Sequence, residues 1–221
     1  MTTLSFQIAD LVISFQMHRA VIFPRNVRII GAINIDETTH YLSPKILDRA
    51  HIMKFDSPLL QDWDRIANEV EDIENKEFKI KINIDDLGIR EPYPSFDSDI
   101  EFCKIITNLT KEYFNPLGIE VGLRTIRQGL NYKNIFIEQN SNENLVINNF
   151  ILHKILPKMT FDGNKKVKDL SKLEIVINFN NEIEKYINQD LVSKNSINVI
   201  DEIKDMISAS DNNDGIINYW A

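Results

Sequence analysis

The chemistry-bearing residues of this chain are concentrated in one short run. Asn34 ends the apolar stretch VRIIGAI (27–33), and Asp36, Glu37 and His40 follow it closely. INIDE (33–37) has the layout of a Walker B strand, in which an Asp at the end of an apolar strand helps to hold Mg²⁺ and a following Glu orients the attacking water. Such a strand works beside a P-loop, whose backbone N–H groups and Lys cradle the phosphates. No G-x-x-x-x-G-K-[ST] occurs in the 221 residues, and Gly31 is the first glycine, so no P-loop precedes Val27. The Walker B reading of INIDE therefore lacks its partner. Other reactive types form no pattern. His18, His40, His51 and His153 lack H-x-x-E or C-x-x-C company, so no metal site is expected. Cys103 is the only cysteine, which excludes an internal disulfide, and its place on an apolar helical stripe suits a small core residue. DNNDG (211–215) begins like a calcium loop but has no closing Glu, and reads as a turn.

The elements that must position these residues change character along the chain. VRIIGAI is short and rich in Val and Ile, as a buried strand should be. Ser43 offers a hydroxyl cap, Pro44 suits a first helical position, and Ile46, Leu47 and Ala50 give a short helix an apolar side. HIMKF (51–55) reads as a second strand. Trp63, Ile66, Val70 and Ile73 recur at helical spacing within an acidic stretch, and EFKIKIN (77–83) alternates like a strand with one wet face. REPYPSF (90–96) is a boundary with two prolines. Beyond it the period is helical. One stripe runs through Ile100, Cys103, Ile106, Leu109 and Tyr113, and a second through Ile119, Leu123, Ile126, Leu130 and Ile137. A third joins Leu145, Phe150, Ile151 and Ile155 and should end or kink at Pro157. Further helices are expected at about 167–188 and 195–209. The fold class is α/β, with a strand-bearing piece over 1–90 and a mostly helical piece over 91–221.

Composition narrows the partners. A formal charge of −8 and a pI near 5.1 argue against a general basic surface for nucleic acid. No apolar run reaches the ~20 residues that span a bilayer, and the start MTTLSFQIADLVISFQMHR has no signal-peptide pattern. A reducing, cytoplasmic setting is the expectation.

RIIGAINIDETTHYLSPKILDRAHIMKF resembles the segment of McrB-like AAA+ proteins that runs from the sensor 1 strand to the arginine finger, as found in the GTPase of methylcytosine-dependent restriction. GIEVGLRTIRQGLNYKNIF is similar to the sensor 2 helix of that family, FILHKILPKM to a lid helix, and VIDEIKDMISASDNNDGIINYWA to its closing helix, Gly turn and aromatic ending. The likeness extends from about Pro24 to Ala221, leaves 60–95 unmatched as an acidic insertion, and does not reach residues 1–23.

Carried across, the resemblance makes Asn34 the sensor 1 residue that contacts the attacking water or γ-phosphate, and Arg124 the sensor 2 arginine, with Arg127 one turn along as its alternative. Many AAA+ proteins place arginines where this chain has Ile52, Met53 and Lys54, so Arg49 is the remaining candidate for a finger offered in trans to a neighbour. Taken alone, each residue has a plainer reading. Asn34 would be a turn residue, Arg49 a surface partner of Asp48 or Asp36, and Arg124 and Arg127 snorkelling side chains. The resemblance also implies the last strands of a parallel AAA+ sheet followed by a helical lid. It implies Mg-GTP or Mg-ATP in a complete assembly, with none bound by this chain alone, and as partner a P-loop-bearing AAA+ half or subunit in an oligomeric ring. DNA would be contacted only indirectly. A non-catalytic interaction module derived from such a motor is the alternative.

Overall fold

The computed structural model describes residues 3–8, 11–16, 31–33, 42–54, 93–139, 144–187 and 197–220. The chain divides into two units, one of residues 1–34 and 72–91, the other of residues 35–71 and 92–221. Asn34, Asp36, Glu37 and His40 lie outside the described residues, as do the acidic helix expected near Trp63 and the strand expected at 77–83.

In the first unit the described part is an antiparallel hairpin, β1 (Thr3–Ile8) with β2 (Leu11–Gln16), in a register that sets Phe6 opposite Ile13 and Ile8 opposite Leu11. Gly31, Ala32 and Ile33, the described end of the expected sensor 1 strand, carry no strand pairing.

The second unit is a helical body. After the short α1 (Pro44–Leu47), α2 (Ile100–Leu109) is entered from a 3-10 turn at Phe96–Asp99 and runs on through a π turn (Thr110–Phe114) to Gly118. Gly118 takes φ 85°, the left-handed stop for which glycine is suited. Asp99 caps α2 by accepting from the Phe102 N–H at 2.8 Å. Next come α3 (Leu123–Gln139) and α4 (Asn144–Phe150), the latter continued by a π turn (Ile151–Ile155) and a 3-10 turn (Leu156–Lys158). The apolar stripe through Leu145, Phe150, Ile151 and Ile155 is buried throughout and ends at Pro157, as its period requires. Then α5 (Lys172–Ile183) follows a capping box in which Ser171 and Glu174 satisfy each other's backbone, and α6 (Val199–Asp211) closes the body.

Several details add to the sequence reading or depart from it. The described strands are antiparallel pairs of two to six residues, including β3 (Thr160–Asp162) against β6 (Ile216–Asn218) and a hairpin of β4 (Lys166–Val167) with β5 (Leu170–Ser171). Residues 51–54 form no strand; Ile52 instead spends both backbone groups on His153. Ser43 caps α1 by position only, without a side-chain hydrogen bond, and of its apolar side Leu47 is buried while Ile46 faces solvent. Leu123 is 69% exposed because α3 begins there, and Ile100 is exposed because Phe102 takes its place in the core.

One continuous core unites α2 to α6. At Gly129 the helices pack closely: an added Cβ would stand 2.7 to 2.9 Å from the rings of Phe150 and Phe102. Those rings meet edge to face at 5.6 Å between centroids.

Candidate functional site

The segment from Ser43 to Lys54 is attached to the helical body through the turn that Pro157 creates. Proline has no N–H, so the carbonyl four residues before it, that of His153, loses its helical donor. The Ile52 N–H fills that place at 3.1 Å, and the Ile52 carbonyl accepts from His153 Nδ1 at 2.8 Å, which sets the proton of that imidazole on Nδ1. Trp220 Nε1 donates to the Pro157 carbonyl at 3.1 Å, and the Tyr219 N–H donates to Met159 at 3.0 Å, so the aromatic chain ending braces the same turn. Further along, Lys54 pairs with Glu202 at 3.0 Å and lies 5.5 Å from the Tyr219 ring centroid.

Beneath the segment lies Lys154, whose side chain is 1% exposed. Its Nζ donates to the carbonyls of Asp48 at 3.0 Å and Ala50 at 2.7 Å. These are orphan acceptors beyond the end of α1, where a cation is favoured. Burial pushes the Lys154 amine down to about 8, the charge of Lys158 pushes the same way, and the Asp48 carboxylate opposes both. The Asp48 carboxylate is itself held below the usual range; its partial burial works against this, and the Thr125 hydroxyl and Lys158 outweigh it. Thr125 donates to Asp48 Oδ1 at 3.0 Å, and Lys158 sits 3.4 Å from the same oxygen while also donating to the Glu120 carbonyl at 3.0 Å. His51 is exposed to solvent, with its ring centroid 6.1 Å from that of Tyr132; partial burial, then Lys154 and His153, push it down to about 4.

Arg49 therefore lies between two residues whose carbonyls are fixed, and its own side chain is exposed. It makes no ion pair with any described residue, and the acid nearest in sequence, Asp48, is committed to Thr125 and Lys158. Arg124, also exposed, precedes Thr125 at the start of α3. The Asp48 to Thr125 hydrogen bond thus joins the immediate sequence neighbours of Arg49 and Arg124. Arg127 is differently employed: its guanidinium lies over Phe96, 4.7 Å from the ring centroid. Thr125, Lys154 and Lys158 were not singled out by sequence reasoning, and Asp48 only as a surface partner of Arg49. The available signal was Lys154 itself, a lone amine between Ile151, Leu152, Ile155 and Leu156 on a stripe that is otherwise apolar.

Among the described residues no group of three or more His, Cys, Asp or Glu side chains is placed to hold a metal, and no helix is long and apolar enough to cross a membrane. The arrangement is a surface on a helical body from which Arg49 and Arg124 are exposed. Residues 82–213, more than half of the chain, match the family described as Domain of unknown function (DUF8727), and the chain belongs to that family. No curated protein and no solved structure matches it.

Proposed function

We propose that this chain serves as the sensor and lid portion of an AAA+ NTPase motor of the restriction or defence type, inactive alone in the cytoplasm and working with a P-loop-bearing AAA+ partner in a ring. Arg49 is its finger, Arg124 its sensor 2 residue and Asn34 its sensor 1 residue. The observation that carries the reading is Arg49 itself: an exposed guanidinium, unpaired among the described residues, on backbone fixed at both flanking residues. An arginine offered in trans supplies charge to the transferring phosphoryl group and can raise hydrolysis by roughly 10³ to 10⁵. Arg124 is favoured over Arg127 because stacking on Phe96 occupies the latter. The 221 residues hold no P-loop, so the phosphate cradle and its Mg-GTP or Mg-ATP belong to another subunit or segment.

The test is to recover the chain with its P-loop-bearing partner and compare GTP and ATP hydrolysis for wild type and Arg49→Ala. Loss of hydrolysis by about 10³ with the complex intact is expected; hydrolysis equal to wild type overturns the reading. A second reading, a non-catalytic interaction module, is favoured by Ile46 and Met53, which are 49% and 63% exposed in the same segment as Arg49. It requires that Arg49→Ala leave hydrolysis unchanged while Met53→Asp breaks the complex.

A further inference from the structure

Lys154 is costly to bury. The residues around it on its own helix, Ile151, Leu152, Ile155 and Leu156, are buried and apolar and have no use for an amine. Replacing a buried charge by an apolar side chain of similar size is often neutral or stabilising, so its presence points to a task other than stability. Its two hydrogen bonds show what the task is, since both go to backbone carbonyls and these flank a single residue, Arg49. Ile52 is held on its N–H and its carbonyl by His153, and Asp48 is held by its carboxylate as well as its carbonyl. The backbone from 48 to 52 is thereby held by the helical body at four atoms, and the Asp48 carboxylate is held as well, while the Arg49 side chain is left to solvent.

We propose that Lys154 is a positioning residue for Arg49: together with the carbonyl that Pro157 frees on His153, it locks the segment so that the guanidinium is presented outward, ready for the phosphate of a neighbouring site. This rests on the finger reading above. A side chain whose backbone is already ordered loses less freedom on engaging its target, and a finger a fraction of an ångström out of place gives up most of its effect.

The experiment follows hydrogen exchange on the full chain by NMR, in wild type and in Lys154→Met, which keeps the length and removes the donor. The Ile52 amide is expected to exchange about ten- to a hundredfold faster in the variant, with the amides of Leu130, Val176 and Phe179 unchanged and Tm equal or higher. In the complex with the P-loop partner, Lys154→Met should lower kcat without raising KM, and Lys154→Met combined with Arg49→Ala should be no worse than Arg49→Ala alone, because one residue acts only through the other. Unchanged exchange at Ile52 overturns the proposal. So does faster exchange across the core, which would make Lys154 a general stabiliser. Failure of the finger reading is seen separately, as Arg49→Ala with wild-type exchange and wild-type hydrolysis.

Discussion

Lys154 donates to the Ala50 carbonyl at 2.7 Å across 104 positions of sequence. This contact, with its counterpart to Asp48, ties the segment that carries Arg49 to the helical body, and it makes the stability of the attachment depend on pH in a direction that can be worked out. The Lys154 amine in the folded protein is at about 8, below the ordinary 10.5. Between those values the unfolded chain holds a proton that the folded chain has released, so stability from this group rises with pH, is complete above about 10.5, and is lost as pH falls through about 8. A neutral amine retains two N–H donors, enough for both carbonyls. Denaturant unfolding of wild type and Lys154→Met from pH 7 to 10.5 should therefore show the wild type gaining on the variant as pH rises. A wild-type stability that stays constant or falls relative to the variant as pH rises would contradict the assigned environment.

At the acid side the same segment has the opposite limit. His51 is at about 4 in the folded protein against an ordinary 6.5, and burial lowers His153 as well despite its hydrogen bond to Ile52. The unfolded chain takes up these protons first, so their contribution is present above 6.5 and is lost as pH falls toward 4. The expected result is that stability declines across this window and that His51→Gln flattens part of the decline. A His51→Gln protein with the same pH profile as wild type would count against it.

Gly129→Ala should destabilise the helical body by about 1–3 kcal/mol although alanine is the better helix former, because its methyl would meet two aromatic rings at under 3 Å. Thermal unfolding reads this directly. Pairing the change with Phe102→Leu, which withdraws one ring, should recover part of the loss.

Asn148, fully buried, joins α4 to the start of α6: its Nδ2 donates to the Ile197 carbonyl at 3.0 Å and its Oδ1 accepts from the Val199 N–H at 2.9 Å. Asn148→Leu should cost about 1–3 kcal/mol for each backbone group left buried without a partner. Local exchange at Val199 should speed up more than at Phe179, and equal acceleration at the two sites would show that α6 is not the element released.

The helical half was legible where apolar period and a breaker coincide, as in the stripe from Leu145 to Ile155 that Pro157 ends. Stripe ends were less so: Leu123 and Ile100 fit the spacing yet face solvent, because period does not say where a helix begins. The pairs β3 with β6 and β4 with β5 have strands of two or three residues, too short to display an alternation. The N-terminal hairpin did carry a signal, Leu4, Phe6 and Ile8 alternating with Thr3, Ser5 and Gln7, and S-x-x-E at Ser171 and Glu174 likewise announced the start of α5. At the candidate site, Arg49 and Arg124 were reached only through resemblance. Lys154 was hidden for a physical reason. A lysine is by default solvated, and what buries this one is a segment more than a hundred residues away.

The most direct test of the central claim, that this chain contributes to another subunit's hydrolysis and holds no nucleotide site of its own, is a calorimetric titration of the chain alone with Mg-GTP and with Mg-ATP. The account predicts no saturable heat at ~1 mM nucleotide, a concentration at which even weak binding registers. Saturable binding of either nucleotide by the isolated chain would contradict it, and would return INIDE to consideration as a Mg²⁺ site.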